Sequence, residues 1–122
     1  GRLAMLLAVL ESRCGLNFSA AEVYLNVAGG YRLADPAADL AVAAALVSAL
    51  ADKPLPDGSV WFGEVSLAGE IRPVAHSALR LREGAKLGFS SAYGPLKEEK
   101  ASPGIQSAGI RQLAQLVDRV MR

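Results

Sequence analysis

A chain of 122 residues that is 52% hydrophobic fits one domain with ample material for a single core. Its net charge of +1 excludes a strongly basic or acidic chain, and its lone cysteine, Cys14, excludes an internal disulfide or a zinc cluster of spaced cysteines. The balance is uneven, with 4 Lys/Arg against 6 Asp/Glu in residues 1–60 and 9 against 6 in residues 61–122, so the second half permits a basic face.

Leu3, Leu6, Leu7 and Leu10 recur at helical spacing, with Met5 and Val9 widening the stripe, so a helix is predicted over Arg2–Cys14 with Gly15 as its stop. The run Leu3–Leu10 resembles a signal-peptide core, but it lacks an initiating Met and a small-residue cleavage site and is too short to span a bilayer. Glu22–Ala28 favours a strand through Val23, Tyr24 and Val27, and Gly29-Gly30 allows a turn into Tyr31-Arg32-Leu33. Asp35 suits an N-cap and Pro36 a first helical position, where its missing N–H costs nothing. Between Leu40 and Leu50 only Ser48 is polar, which predicts a central helix enclosed by its neighbours, with the Ser48 hydroxyl bonded back to a carbonyl in the preceding turn. Lys53–Gly58 is a breaker cluster, Val60–Leu67 reads as a strand, Ala68-Gly69 as a turn, and Ile71–Val74 as a strand pairing back. A second amphipathic helix is predicted at about His76–Leu87, with Leu79 on its apolar face and Arg80, Arg82 and Lys86 on its basic one, ended by Gly88. Phe89–Tyr93 and Gly104–Ala108 read as short strands around a charged loop at 95–103. Ile110–Met121 reads as a terminal helix with Leu113, Leu116, Val117 and Val120 on one side. Helices alternating irregularly with short strands, at least one pair joined by a tight turn, give an α+β class with a mixed sheet packed by helices.

Two segments carry a family resemblance: Asp35-Pro36-Ala37-Ala38-Asp39 at the helix start, and Gly63-Glu64-Val65-Ser66-Leu67-Ala68-Gly69-Glu70-Ile71-Arg72-Pro73-Val74 downstream. Together they resemble the proteolytic domain of Lon proteases, over almost the whole chain. In active members the first segment reads Gly-Pro-Ser-Ala-Gly, so the serine position falls on Ala37 and the flanking glycines on Asp35 and Asp39. The catalytic lysine position falls, without gaps, on Ala78. With the preceding Tyr24-Leu25-Asn26-Val27-Ala28-Gly29-Gly30, the variant is similar to the C-terminal domain of the bacterial RadA (Sms) recombination proteins.

That resemblance implies a Lon-like superfold and a non-catalytic domain spanning residues 1–122, excised from the C-terminus of a longer cytoplasmic bacterial protein. It implies no cofactor in this domain, with ATP, Mg and Zn held only by upstream parts of a DNA-dependent ATPase that acts in recombination and repair. The implied partners are further copies in a ring, a hexamer in the full-length context, and single-stranded or branched DNA, with no membrane.

On that alignment hydrolytic chemistry is not expected. A serine–lysine dyad needs a hydroxyl beside an amine that can lose its proton, both positions here are alanine, and the nearby Arg80 guanidinium does not deprotonate. Asp35 would cap the helix donors that could hold an oxyanion, and Asp39 would add negative charge in the first turn. His76 and Ser77 point about 100° apart on a helix and cannot act as a base–nucleophile pair, and one histidine is a poor metal site. The competing reading is a residually active Lon-type serine peptidase using Ser48 or Ser77. No glycine-rich phosphate loop with its lysine is present. Candidate DNA-phosphate contacts are Arg72, Arg80, Arg82 and Lys86, with Arg32 and Lys53 able to join them in space, although no aromatic residues interleave with the arginines.

Overall fold

A computed structural model describes residues 2–19, 35–96 and 104–122. The first helix, α1, spans Arg2–Cys14 and ends at Gly15, whose φ of +69° is a left-handed stop. The strand and turn predicted at 22–33, with Arg32, and most of the loop at 95–103 lie outside the described residues.

Residues 36–38 form a single 3-10 turn that leads into α2, Asp39–Ala51. Leu40, Ala43, Ala44 and Val47 of α2 are fully buried. Each buried Leu or Val contributes about 1.5–3 kcal/mol. The helix is not enclosed as predicted, since Ala45, Ala49 and Leu50 are exposed. A nearly all-apolar run rich in alanine gives no moment from which an outer face could be read. The Ser48 prediction also fails: its hydroxyl donates forward to the Lys53 carbonyl at 2.5 Å, because the chain turns back at Asp52, in the left-handed region at φ 52°.

The strand predicted over Val60–Leu67 is two strands, β1 (Ser59–Trp61) and β2 (Glu64–Val65), in different sheets. The break is at Gly63. Its φ of +154° suits only glycine, its N–H donates to Ala37 O at 2.8 Å, and its carbonyl accepts the Leu40 N–H at 3.0 Å. The backbone is thus diverted from one sheet to meet the start of α2. Beyond it, β2 pairs antiparallel with β3 (Ile71–Arg72) around the expected Gly69 turn.

The helix α3, Ser77–Lys86, follows the expected bounds closely. Its buried residues are Leu81 and Gly84, whereas Leu79 is 46% exposed, so the apolar face lies about 200° around the helix from the one predicted. Among the described residues the strands β4 (Ser91–Gly94) and β5 (Gln106–Gly109) form a parallel sheet with β1 in the order β1-β4-β5. The last helix, α4, is Leu113–Met121, starting three residues later than Ile110 because Gln112 and Gln115 form a reciprocal capping box.

Alternation along the strands assigns each sheet face to a layer. Trp61 and Tyr93 face the core that α1, α2 and α4 share through Leu6, Leu10, Leu40, Val47, Leu113 and Leu116. Val60, Phe62 and Ala92 face a second cluster with Leu81 and Ala85 of α3 and with Ile105. Parallel and antiparallel pairings both occur, as an α+β domain allows, but Gly63 divides them between two sheets.

Candidate functional site

The start of α2 is the natural place to look for anion-binding chemistry, because a helix N-terminus presents free N–H groups. Pro36 has none to offer. Ala37 N–H donates to Asp35 Oδ1 at 2.9 Å, Ala38 N–H to the Asp35 carbonyl at 3.0 Å, Asp39 N–H to the Pro36 carbonyl, and Leu40 N–H to Gly63 O at 3.0 Å. Every donor of this first turn is spoken for. Asp35 is the cap anticipated from sequence.

Asp39 plays a different part from the one anticipated. It is 3% exposed, and its carboxylate takes a bidentate pair of hydrogen bonds from Arg2, the Nε one at 2.7 Å, and a third from the Val65 N–H at 3.0 Å. Arg2 Nη2 also lies 3.8 Å from Glu64. The hydrogen bond to Asp39 raises the Arg2 pKa above its ordinary value, and its charge balances the buried carboxylate. Asp39 therefore ties α1, α2 and β2 together, and its negative charge is compensated rather than directed at the helix start.

A cleft of about 350 Å3 opens between this turn and α3. Ala37, Ala38 and Ala41 form one wall, and Arg80, Glu83 and Leu87 the other. Arg80 Nη2 stands 3.7 Å from Asp35 Oδ2 across the mouth, and Arg80 Nε donates to the Ala75 carbonyl at 3.0 Å. Among the described lining residues there is no serine, threonine, cysteine, lysine or histidine. Ala37 is 4% exposed at the base of this turn, while Ala78 is exposed on α3 and does not line the cleft. The α3 residue that reaches the Asp35–Asp39 segment is Arg80, two positions on and about 200° around the helix.

His76 precedes α3 in the left-handed region at φ 62°, and Ser77 Oγ donates to the Val74 carbonyl at 3.3 Å, so the two are not paired. Of the candidate phosphate contacts, Arg80 is paired with Asp35 and Lys86 with Glu83 at 3.5 Å, while Arg72 and Arg82 are exposed. Lys53 is drawn away from α3 altogether, its Nζ donating to the Met121 carbonyl at 2.7 Å at the end of α4. That placement offsets the negative end of the helix dipole. Burial pushes the Cys14 thiol pKa up, which disfavours the thiolate form. Among the described residues no cluster of three His, Cys, Asp or Glu could hold a metal ion, and no helix is long and apolar enough to cross a membrane.

Sequence reasoning missed a second concavity, about 470 Å3, between β4, β5 and α4. Its described lining includes Ser91, Tyr93, Gln106, Ala108 and Arg119. Tyr93 stacks on Trp61 with centroids 4.1 Å apart and planes at 16°, and the Arg119 guanidinium lies 5.1 Å over the Tyr93 ring. The aromatic and cationic partners come from β1, β4 and α4, so only the topology brings them together. An arginine on the polar side of the last helix was the sole signal available.

These features define a small α+β domain built around a closed helix start, with no serine, threonine or cysteine among the described residues that line its cleft. No family model matches the chain. Curated relatives do: the chain is 61% identical over 95 residues, 78% of its length, to the DNA repair protein RadA of Brucella abortus. It is 47% identical over 115 residues, 93% of its length, to the DNA repair protein RadA of Escherichia coli, and 46% identical over 110 residues, 90% of its length, to that of Synechocystis. The chain belongs with the RadA proteins, and its match covers 20%, 25% and 21% of those three relatives in turn.

Proposed function

We propose that this chain is a non-catalytic, Lon-like domain of a RadA-type protein, serving as a self-association scaffold with DNA contacts while an ATP-driven module elsewhere in the longer protein does the work of recombination and repair. The observation that carries this reading is the closed helix start. Ala37 supplies no nucleophilic atom, and the four N–H groups of residues 37–40 all have partners within the chain. An acyl-transfer site needs both an activated nucleophile and spare donors where an oxyanion forms. Neither is available beside Asp35, so surface and assembly are where function falls. ATP, Mg and Zn belong, on this reading, to other parts of the full-length protein. The ring of like subunits and the single-stranded or branched DNA come from the same resemblance.

The test is a gain-of-function experiment. Ala37→Ser restores the hydroxyl but neither the base nor the oxyanion donors, so the variant should cleave no casein above background and should stay unlabelled by a fluorophosphonate. Stoichiometric labelling of the parent chain would establish the alternative serine-peptidase reading, and casein cleavage by the single variant would overturn the alignment that puts the empty dyad positions at Ala37 and Ala78. For the scaffold, light scattering should show concentration-dependent self-association, and a strict monomer across the accessible range would remove that role from the isolated chain.

A further inference from the structure

We infer that the hollow between β4, β5 and α4 is a phosphate-binding site for the backbone of single-stranded nucleic acid, with Arg119 as the cation that contacts the phosphodiester. The inference rests on the DNA-contact reading above and moves it from α3 to the opposite layer of the sheet.

The hollow has a structural cause. The parallel register pairs Ser91 with Gln106 and Tyr93 with Ala108, which puts all four on one face of the sheet. Ser91 and Ala108 are too short to fill the space beside the last turns of α4, and a concavity of about 470 Å3 remains. On the water-volume scale that is room for about fifteen waters, ample for a phosphate and part of its sugar.

The chemistry of the lining is that of an anion site. Arg119 offers a planar fork of donors, Ser91 a hydroxyl and Gln106 a carboxamide. Arg119 is exposed, and among the described residues no carboxylate pairs with it, whereas Arg2, Arg80, Lys86 and Arg122 each have one. What holds it is Tyr93. A ring face orients a guanidinium without neutralising it, so the full charge stays available to a ligand. Trp61 at 4.1 Å leaves no room between the two rings, so the guanidinium covers the other face of Tyr93. Both faces of the tyrosine are then occupied and no base can stack on it. The site contacts phosphate and does not read sequence.

An open hollow with one arginine that no described carboxylate pairs holds a lone phosphate weakly. A polymer that brings successive phosphates gains from each contact through counterion release and effective concentration. This favours the nucleic-acid backbone over free phosphate as occupant.

The experiment is fluorescence anisotropy of labelled oligo(dT) with the full chain, at about 50 and 200 mM salt, the range over which such contacts are most visible. Arg119→Gln should weaken binding about tenfold, the value of one charge-assisted hydrogen bond. It should also make the log–log salt slope less negative by about 0.7, the increment for one phosphate on a single strand. Arg119→Lys, which keeps the charge, should restore the slope. Near-ultraviolet dichroism of Trp61 reports whether either variant disturbs the ring stack. Unchanged affinity and slope in Arg119→Gln, with binding lost in Arg72→Gln/Arg82→Gln instead, would overturn this site and leave the DNA reading standing. No binding by the parent chain at low salt would overturn both. Inorganic phosphate displacing the oligonucleotide at equal phosphate concentration would overturn nucleic acid as the occupant.

Discussion

The two concavities of this domain, one on each side of its parallel sheet, handle polar groups in opposite ways. At the start of α2 each first-turn donor is capped, the Asp39 carboxylate is triply bonded, and the cleft beyond is walled by alanines. Between β4, β5 and α4 the lining is polar, and its cation is held by a ring that leaves the charge unspent. Closed polar groups stabilise a fold, whereas polar groups left open are free to meet a ligand. On that ground the helix start, although it carries the family resemblance, is the structural end of the molecule, and the β4–β5–α4 hollow is the end with chemistry to offer.

The sharpest way to break this contrast is to reopen the closed end. Gly63→Ala should be the most damaging of the stability variants considered, because an added Cβ would stand 2.6 Å from Ile71 Cγ2 and 3.3 Å from Pro95 Cδ, at a φ that L residues avoid. Overpacking and backbone strain together put the loss at about 3–4 kcal/mol, measurable as the midpoint shift in urea unfolding. A cost below about 1 kcal/mol would mean that the backbone junction between Gly63 and α2 yields easily, and the helix start would not be the rigid element described.

Asp39→Ala should come next, at about 2–3 kcal/mol, since it strands the Val65 N–H and leaves Arg2 beside Glu64 alone. Arg2 is 37% exposed, so water recovers part of its loss and the full cost of an orphaned buried charge does not apply. Removing both partners in Arg2→Ala/Asp39→Ala should cost less than the sum of the two single variants, and strict additivity would show that the pair is not coupled.

Local signals were legible in the sequence, and pairings between distant segments were not. The Asp35 cap, the bounds of α1 and α3, the Gly69 turn and the apolar side of α4 all follow from residues within one or two turns of each other, and all four are present. The break at Gly63 was missed because its cause, two hydrogen bonds to the start of α2, lies more than twenty residues upstream. Asp39 was read as a charge added to the helix start for the same reason: nothing near it in the chain announces Arg2, which arrives from α1. Arg80 was placed correctly on a basic helix, yet its pairing with Asp35 depends on how α3 is laid across the sheet. The Arg119–Tyr93–Trp61 stack needed three elements and the strand order before it could be seen at all.

The smallest expected effect tests the same contrast from the other side. Arg80 and Asp35 are 34% and 66% exposed and 3.7 Å apart, the geometry of a surface ion pair worth at most about 0.5 kcal/mol. Arg80→Gln should therefore leave the urea midpoint nearly unchanged. Asp35 Oδ1 still accepts the Ala37 N–H, so the helix start stays closed without the arginine. Oligo(dT) affinity should also be nearly unchanged, because a guanidinium already committed to a carboxylate releases few counterions on binding phosphate. A loss larger than that of Arg119→Gln would reverse the comparison. It would show that Arg80 leaves Asp35 for DNA, and that the cleft beside Ala37 is the open end of the molecule after all.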